Sequence, residues 1–320
     1  MGVLILNEAD VRTLLPMEEC IEVMAEALAA LERGDMNQPL RTVFRPPRAS
    51  SLMGLMPAHR AGAAYGLKAI CVFPANPARG LDAHQGAVLL FDGETGELRA
   101  AVNASAITEI RTAAVSGVAT RLLARADARV LAVLGAGVQA RSHLTAMAAV
   151  REFERVRIWS RTPEHARALA EEAGGEATST VEEALADADV VCTTTTAPEP
   201  IVRREWLQPG AHVNAVGSSI PTTRELDTAT IAAASLFVDR RESTLNESGD
   251  YLLAAAEGAI GPEHIRAELG ELLTGNAQGR TSEHELTVFK SLGLAAEDLA
   301  AAEHLYGRAR ETGAGTEVEL

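Results

Sequence analysis

The stretch Gly135-Ala136-Gly137-Val138-Gln139-Ala140 has the spacing of a phosphate-cradling loop, with alanine where a third glycine would complete the pattern. Its neighbours strengthen the reading. The loop follows the β-prone run Val130–Leu134 and opens a helical stretch from Gln139 to Val150. Gly135 then permits the tight turn, Gly137 lets backbone approach a pyrophosphate, and the helix N-terminus faces the anion. Val138 and Gln139 fall in the first turn of that helix. The expected chemistry is hydride transfer with a nicotinamide dinucleotide. The next β-prone run, Val156–Trp159, ends in Ser160-Arg161-Thr162, where an NAD-specific site would carry an acid for the adenosine ribose. Two hydroxyls and a guanidinium suit a 2′-phosphate instead, so NADP(H) is expected over NAD(H). If Arg161 is simply a solvated surface residue, either cofactor would serve.

On the substrate side, Arg41, Lys68 and Arg111 stand near apolar or turn segments. Gathered at the nicotinamide, they would clamp a carboxylate. Arg111 falls in the first turns of a helix beginning near Ala106, where the helix dipole adds to its pull on an anion. Lys68 sits in the apolar run Tyr65-Gly-Leu-Lys-Ala-Ile70, and strand alternation alone favours an outward, solvated lysine there. His84, between Asp82 and Gly86, is a proton-donor candidate, although a loop histidine is more often a plain polar contact.

Two scaffolds are written in the rhythm of the chain. Up to about residue 105 there is no βα alternation. An amphipathic helix, Met17 to Arg33, carries Ile21, Met24, Ala25, Leu28 and Leu31 on one face and stops at Gly34. Short strands follow at 41–44, 52–56, 65–73 and 86–91, and the turn Asp92-Gly-Glu-Thr-Gly96 leads to another near 97–102. This is an α+β region of mostly antiparallel strands. After a second helix, Ala106 to Ala124, the pattern changes. The runs Val130–Leu134, Val156–Trp159, Val190–Thr194, His212–Val216 and Leu236–Val238 are short, continuous and separated by helical stretches such as Pro163–Ala173, which Thr162 is placed to cap. Strands buried on both faces and alternating with helices predict an α/β fold with a Rossmann-type, doubly wound parallel sheet. The expected division is 1–112 with 286–320, and 113–285. In it the terminal helix Ala295–Arg310 returns to the first domain and Gly313–Leu320 frays.

Composition narrows the partners. A formal net charge of −15 disfavours a nucleic-acid partner. No window approaches the roughly 18 apolar residues of a membrane span. Cys20, Cys71 and Cys192 stand singly, without metal-ligand or disulfide spacing, so no metal is expected and a reducing cytoplasm is the default. Met1–Leu6 reads as a short edge strand and not as a signal segment.

The strings Lys68-Ala-Ile-Cys-Val-Phe-Pro-Ala-Asn76 through Gly80-Leu-Asp-Ala-His-Gln-Gly86, Leu90-Phe-Asp-Gly-Glu-Thr-Gly96 and Arg111-Thr-Ala-Ala-Val-Ser116 resemble the ornithine cyclodeaminase/μ-crystallin family. So do Leu134–Ala140, Val213-Asn-Ala-Val-Gly217, Arg224-Glu-Leu-Asp227 and Val288-Phe-Lys-Ser-Leu-Gly293, in order along nearly the whole chain. The resemblance implies a homodimer whose first domains pair through their sheets, with an active site between the two domains of each subunit. It also implies that Arg41, Lys68 and Arg111, with Leu292, meet the substrate. Cofactor contacts would come from Val138, Gln139, Ser160, Arg161, Thr195, Val213, Asn214, Ala215, Val216 and Ser291.

The sequence departs from the cyclodeaminases at three places. Gly217-Ser-Ser-Ile-Pro221 puts Ser219 where the resemblance places an acid/base aspartate, and a hydroxyl is too weak an acid to serve as that base near neutral pH. Gly54 stands where a glutamate is expected, and Ser160 where the adenosine-binding aspartate is expected. The Gly-Ser-Ser-Ile-Pro string and Arg157-Ile-Trp-Ser-Arg-Thr162 look more like the ketimine reductase branch, which reduces a cyclic imine with an adjacent carboxylate. Lys68 would hold the carboxylate and help protonate nitrogen, with Asp227 and His84 as secondary acid/base candidates. Asp227 has a second reading as the cap of the helix that follows. The alternatives are an amino-acid dehydrogenase or cyclodeaminase, and a non-catalytic crystallin-like binding protein.

Overall fold

In the computed structural model, residues 2–319 are described. They form two compact units, Met1–Arg111 with Gly293–Leu320, and Thr112–Leu292. The first unit opens with β1 (Gly2–Leu6), α1 (Glu8–Leu14) and α2 (Met17–Arg33). Asn7 caps α1 in a reciprocal box with Asp10, and α2 ends at Gly34 in the left-handed region (φ +80°). Then come β2 (Met36–Asn37), β3 (Thr42–Phe44), β4 (Leu52–Arg60), β5 (Ala64–Val72), β6 (His84–Asp92) and β7 (Leu98–Asn103). His84 is thus the first residue of a strand, paired with Val72, and not a loop residue.

The register decides where Lys68 points. In the antiparallel β4–β5–β6 ladder it stands opposite Met56 on one side and Val88 on the other. Those two residues are buried, as are Ala64 and Gly66, which share the phase of Lys68 on β5. Lys68 is therefore inward, with 2 % of its surface exposed. The outward, solvated lysine expected from alternation does not form, because Ala64 and Gly66 make the inward face look like the weaker one. After β7, α3 (Ala104–Leu123) begins, and the boundary between the units falls at Arg111 within it.

The second unit alternates strands with helices, except that β12 follows β11 with no α-helix between them and α8 and α9 run in succession. From β8 (Val130–Leu134), α4 (Val138–Val150) leads to β9 (Arg155–Trp159), and α5 (Pro163–Ala173) to β10 (Glu176–Ala177). Then α6 (Val181–Leu185), β11 (Val190–Thr193), β12 (His212–Ala215), α7 (Thr228–Ala233) and β13 (Ser235–Val238) follow. The series closes with α8 (Arg241–Glu247), α9 (Gly249–Ala256), β14 (Ile265–Glu268), α10 (Leu269–Leu273) and β15 (Thr287–Lys290). The sheet order is β10-β9-β8-β11-β12-β15-β13-β14. Every pairing in it is parallel, which makes it doubly wound, with its order reversing between β8 and β11. Its core is aliphatic, drawing on Leu134, Val191, Val213, Leu236 and Val288. β15 corrects the expected division. Residues 286–292 do not join the first unit, since Thr287–Lys290 is hydrogen-bonded between β12 and β13 in the interior of the parallel sheet.

The chain then returns to the first unit as α11 (Ala295–Thr312) and β16 (Thr316–Glu319). α11 packs on β4, β5, β6 and α2. The tail does not fray. β16 pairs antiparallel with β1, whose other side pairs parallel with β7, so β1 is not an edge strand either. The completed order is β16-β1-β7-β6-β5-β4-β2, with β3 also on β4.

Candidate active site

Gly135 leaves β8 at φ +122°, a conformation L side chains rarely adopt, and a Cβ there would lie 2.6 Å from the Thr194 hydroxyl. Gly137 is the N-cap of α4 and offers no side chain to its first amides. A Cβ on Gly137 would meet nothing within 4 Å. A helix N-terminus with bare amides and open space in front of it is what a pyrophosphate requires. The cavity beside it, about 530 Å³, is lined by Gly135–Gly137, Trp159–Thr162, His165 and Thr194–Ile201. It lies at the β8/β11 reversal, so these residues fit a dinucleotide. Ser160 is half-buried, Arg161 is exposed, and both line the cavity with Thr162. Thr162 occupies the N-cap of α5 without a side-chain cap bond, contrary to the expected capping role, and its amide donates to Ser160 Oγ at 3.3 Å.

The strand ends around this cavity are tied together by a buried polar network. Glu225, fully buried, accepts from the Thr193 hydroxyl (2.6 Å), the Thr195 amide and hydroxyl (2.7 and 2.6 Å) and the Gly217 amide (2.7 Å). Burial pushes its carboxyl up, while the bonds from Thr193 and Thr195 oppose that. Asp250 accepts from the amides of Glu225 and Leu226 at 2.9 and 3.0 Å, and its other oxygen lies 3.0 Å from Lys290 Nζ. Lys290 Nζ also donates to the carbonyls of Ala215 (3.1 Å) and Ser218. Lys290 is thus held by two carbonyl hydrogen bonds and one ion pair.

Other expected cofactor residues have committed side chains. Asn214 donates to the Thr120 hydroxyl at 2.9 Å, and Val213, Ala215 and Val216 are buried. Ser291 is buried with its amide on Ala215 O at 3.0 Å, and the Leu292 amide donates to Asp239 at 2.6 Å. Asp227 accepts from the Thr230 amide at 2.8 Å as the N-cap of α7 and lines a different cavity with Arg203, Arg204 and Glu205. That is the capping role of the two readings. Ser219 is exposed on the loop after β12.

In the first unit, the structure gathers the predicted cations onto the start of α11. Lys68 Nζ donates to Asp298 Oδ1 at 3.1 Å, and Arg111 Nε donates to the same oxygen at 3.0 Å. Arg111 Nη1 reaches Glu297 at 3.1 Å, and Arg41 donates to the Gly293 carbonyl at 3.1 Å. Arg111 sits beyond the first turns of α3, which begins at Ala104, so the helix dipole does not add to its pull on an anion as expected. Lys68, Arg111, Glu297 and Asp298 are all nearly inaccessible to solvent. Lys68 has no further hydrogen-bond partner among the described residues. Its burial, followed by the charges of Arg111 and Arg41, outweighs the pull of Asp298 and lowers it to about 8. His84 lies at the open rim of the cluster. Desolvation, then the charges of Lys68 and Arg111, hold it below the usual histidine range. Sequence reasoning missed Glu297 and Asp298, because an acidic pair in the first turn of a helix also reads as ordinary dipole compensation.

A doubly wound sheet with a bare glycine loop at its switch point, in one chain with an α+β unit that buries its cations, defines a two-unit dinucleotide-binding protein. Within that class the chain belongs to the ornithine cyclodeaminase/mu-crystallin family, whose model matches residues 2–313. It is 44% identical over 276 residues, 85% of each chain, to the ketimine reductase mu-crystallin of Mus musculus. The structure of Thermococcus litoralis Δ1-pyrroline-2-carboxylate reductase in complex with NADH and L-proline is similar at a TM-score of 0.95. It is 37% identical, with 99% of this chain and 100% of that chain covered. An archaeal alanine dehydrogenase dimer with bound NAD gives a TM-score of 0.94 at 32% identity over 100% of both chains.

The buried network generates a stability prediction. Glu225→Ala strips the partner from four donors at once and leaves them without water. Urea unfolding is expected to show a loss of about 3 kcal/mol or more. A loss under about 0.5 kcal/mol would mean that the strand ends are held by something else.

Proposed function

We propose that the chain reduces a cyclic ketimine with an adjacent carboxylate, such as Δ1-piperideine- or Δ1-pyrroline-2-carboxylate, to the cyclic amino acid. A nicotinamide dinucleotide, when bound, supplies the hydride. One observation carries the reading: Lys68 is sealed from solvent and has three ammonium donors but one hydrogen-bond partner among the described residues. A buried donor without an acceptor is costly, and a carboxylate ligand would relieve that cost. Lys68 and Arg111, with Arg41, hold the carboxylate, and the Lys68 ammonium donates towards the imine nitrogen. The loop Gly135–Gly137 and the first amides of α4 take the pyrophosphate. Val213–Val216 and Ser291 contribute through backbone, since their side chains are buried.

The second reading is oxidation of an acyclic amino acid, favoured by the likeness to the archaeal alanine dehydrogenase. That direction needs a base to assist water attack on an imine, and Ser219 is a poor one. NAD(P)H consumption with a panel of cyclic imine carboxylates, beside NAD(P)⁺ reduction with amino acids, separates the two. Turnover of L-ornithine alone, giving proline and ammonia, would overturn the proposal. Lys68→Ala is expected to lower imine reduction by about a thousandfold while dinucleotide binding, followed by fluorescence, persists.

For the cofactor, Ser160, Arg161, Thr162 and the nearby His165 favour a 2′-phosphate, making NADP(H) the preferred form. Arg161→Ala should raise KM for NADPH about tenfold and leave that for NADH nearly unchanged, one charge-assisted hydrogen bond being about 1.5 kcal/mol or more. Equal effects on both would leave NAD(H) as the natural cofactor.

For assembly, we propose a homodimer joined through the first unit. One face of its sheet packs under α11. On the other, the registers align Ile5, Ala101, Leu89, Leu67 and Pro57 in one apolar cross-strand row, with Phe44 and Met53 paired and exposed nearby. Such a face calls for a cover, and a second copy supplies one with the same chemistry. Light scattering at micromolar concentration should give the dimer mass, and a monomer mass would sink the proposal.

A further inference from the structure

We propose that Asp298 is a positioning residue for the reaction: it fixes Lys68 and Arg111 on one oxygen so that the remaining donors of Lys68 are held for a carboxylate ligand. The inference rests on the reading of Lys68 above and adds a residue that neither motif nor spacing marked.

Asp298 is 1% exposed, and Oδ1 alone receives both cations, at 3.1 Å from Lys68 and 3.0 Å from Arg111. Its Oδ2 is buried with no hydrogen-bond partner among the described residues. Geometry on α11 explains the arrangement. Asp298 and Glu297 lie in its first turn, and the chain just before it supplies the Gly293 carbonyl to Arg41.

Asp298 also governs the protonation of Lys68. The charged and titratable groups around that ammonium are Asp298 and Glu297 on α11, Arg111 on α3, Arg41 before β3, His84 at the start of β6 and Cys20 on α2. Burial and the two arginines drive Lys68 towards the neutral amine, and Asp298 is the opposing charge. The ammonium form is therefore present below about pH 8 and lost as pH rises through it. Removing the Asp298 charge moves that limit down.

The test exploits composition, because Lys68 and Lys290 are the only lysines in the chain. Protein labelled with ¹³C-lysine gives two side-chain Cε signals to follow by NMR, and Lys290, in the other unit and paired with Asp250, is the internal control. Wild-type Lys68 should titrate near 8, and in Asp298→Asn lower by about one unit or more. The alkaline limb of kcat/KM for the imine should move with it, and Asp298→Glu should restore most of both shifts. Should Asp298→Asn not fold, Asp298→Ser removes the same charge from a smaller side chain. Unchanged titration of Lys68 in the charge-removing variant, or a rate limb that stays put while the NMR titration moves, overturns the proposal. A wild type that reduces no cyclic imine would overturn the function instead, and the NMR titration would still decide the role of Asp298.

Discussion

A lysine ammonium carries three donors and no acceptor, and taking it out of water costs several kcal/mol unless those donors are met. Lys68 is held in that position by everything around it. The β4–β5–β6 register turns it inward, and Gly66 leaves room for Leu299, 3.0 Å from where a Cβ would stand, so that α11 can lie close above. α11 then delivers Asp298. No single element makes the site: a strand fixes the direction of the lysine, and a helix some 230 residues further along the chain supplies its counter-charge.

Lys290 shows the opposite solution with the same side chain. It too is buried beside an aspartate, but two carbonyls also accept from it. It therefore locks structure. Through Asp250 and Glu225 it joins the ends of β11, β12 and β15, which is the edge where an open α/β sheet presents a ligand. The chain places 29 cationic residues and makes all but these two arginine. Arginine, planar and always charged, serves well at a surface. A compact cation in a tight cavity, or one that must give up a proton, calls for lysine.

The second unit was legible because its strands are buried on both faces and its glycine loop sits between a strand and a helix. Three of its eight strands escaped for physical reasons. β10 is two exposed residues long, and β14, Ile265–Glu268, alternates with charged side chains at the sheet edge. β15 was visible as a motif but not as a strand, because its pairing partners lie far away in sequence. In the first unit, the element types were readable and their long-range pairings were not. β16 joins β1 across the full length of the chain, and nothing local announces it. The three cations stood out in the sequence one by one, whereas the direction of Lys68 was hidden by small inward neighbours. Asp298 was hidden by a helix start that would carry acids in any protein.

The same burial that makes Lys68 expensive makes it useful. Reduction of an imine needs a proton at nitrogen and a hydride at carbon, and the carboxylate beside the imine must be held while both arrive. An arginine could do the holding but would not release a proton near neutral pH, since its pKa lies above 12. An exposed lysine, near 10.4, would be a weak donor. Desolvation and two neighbouring arginines bring Lys68 to about 8, close to the range in which a general acid is both mostly charged and able to give its proton away. Asp298 keeps it from falling further.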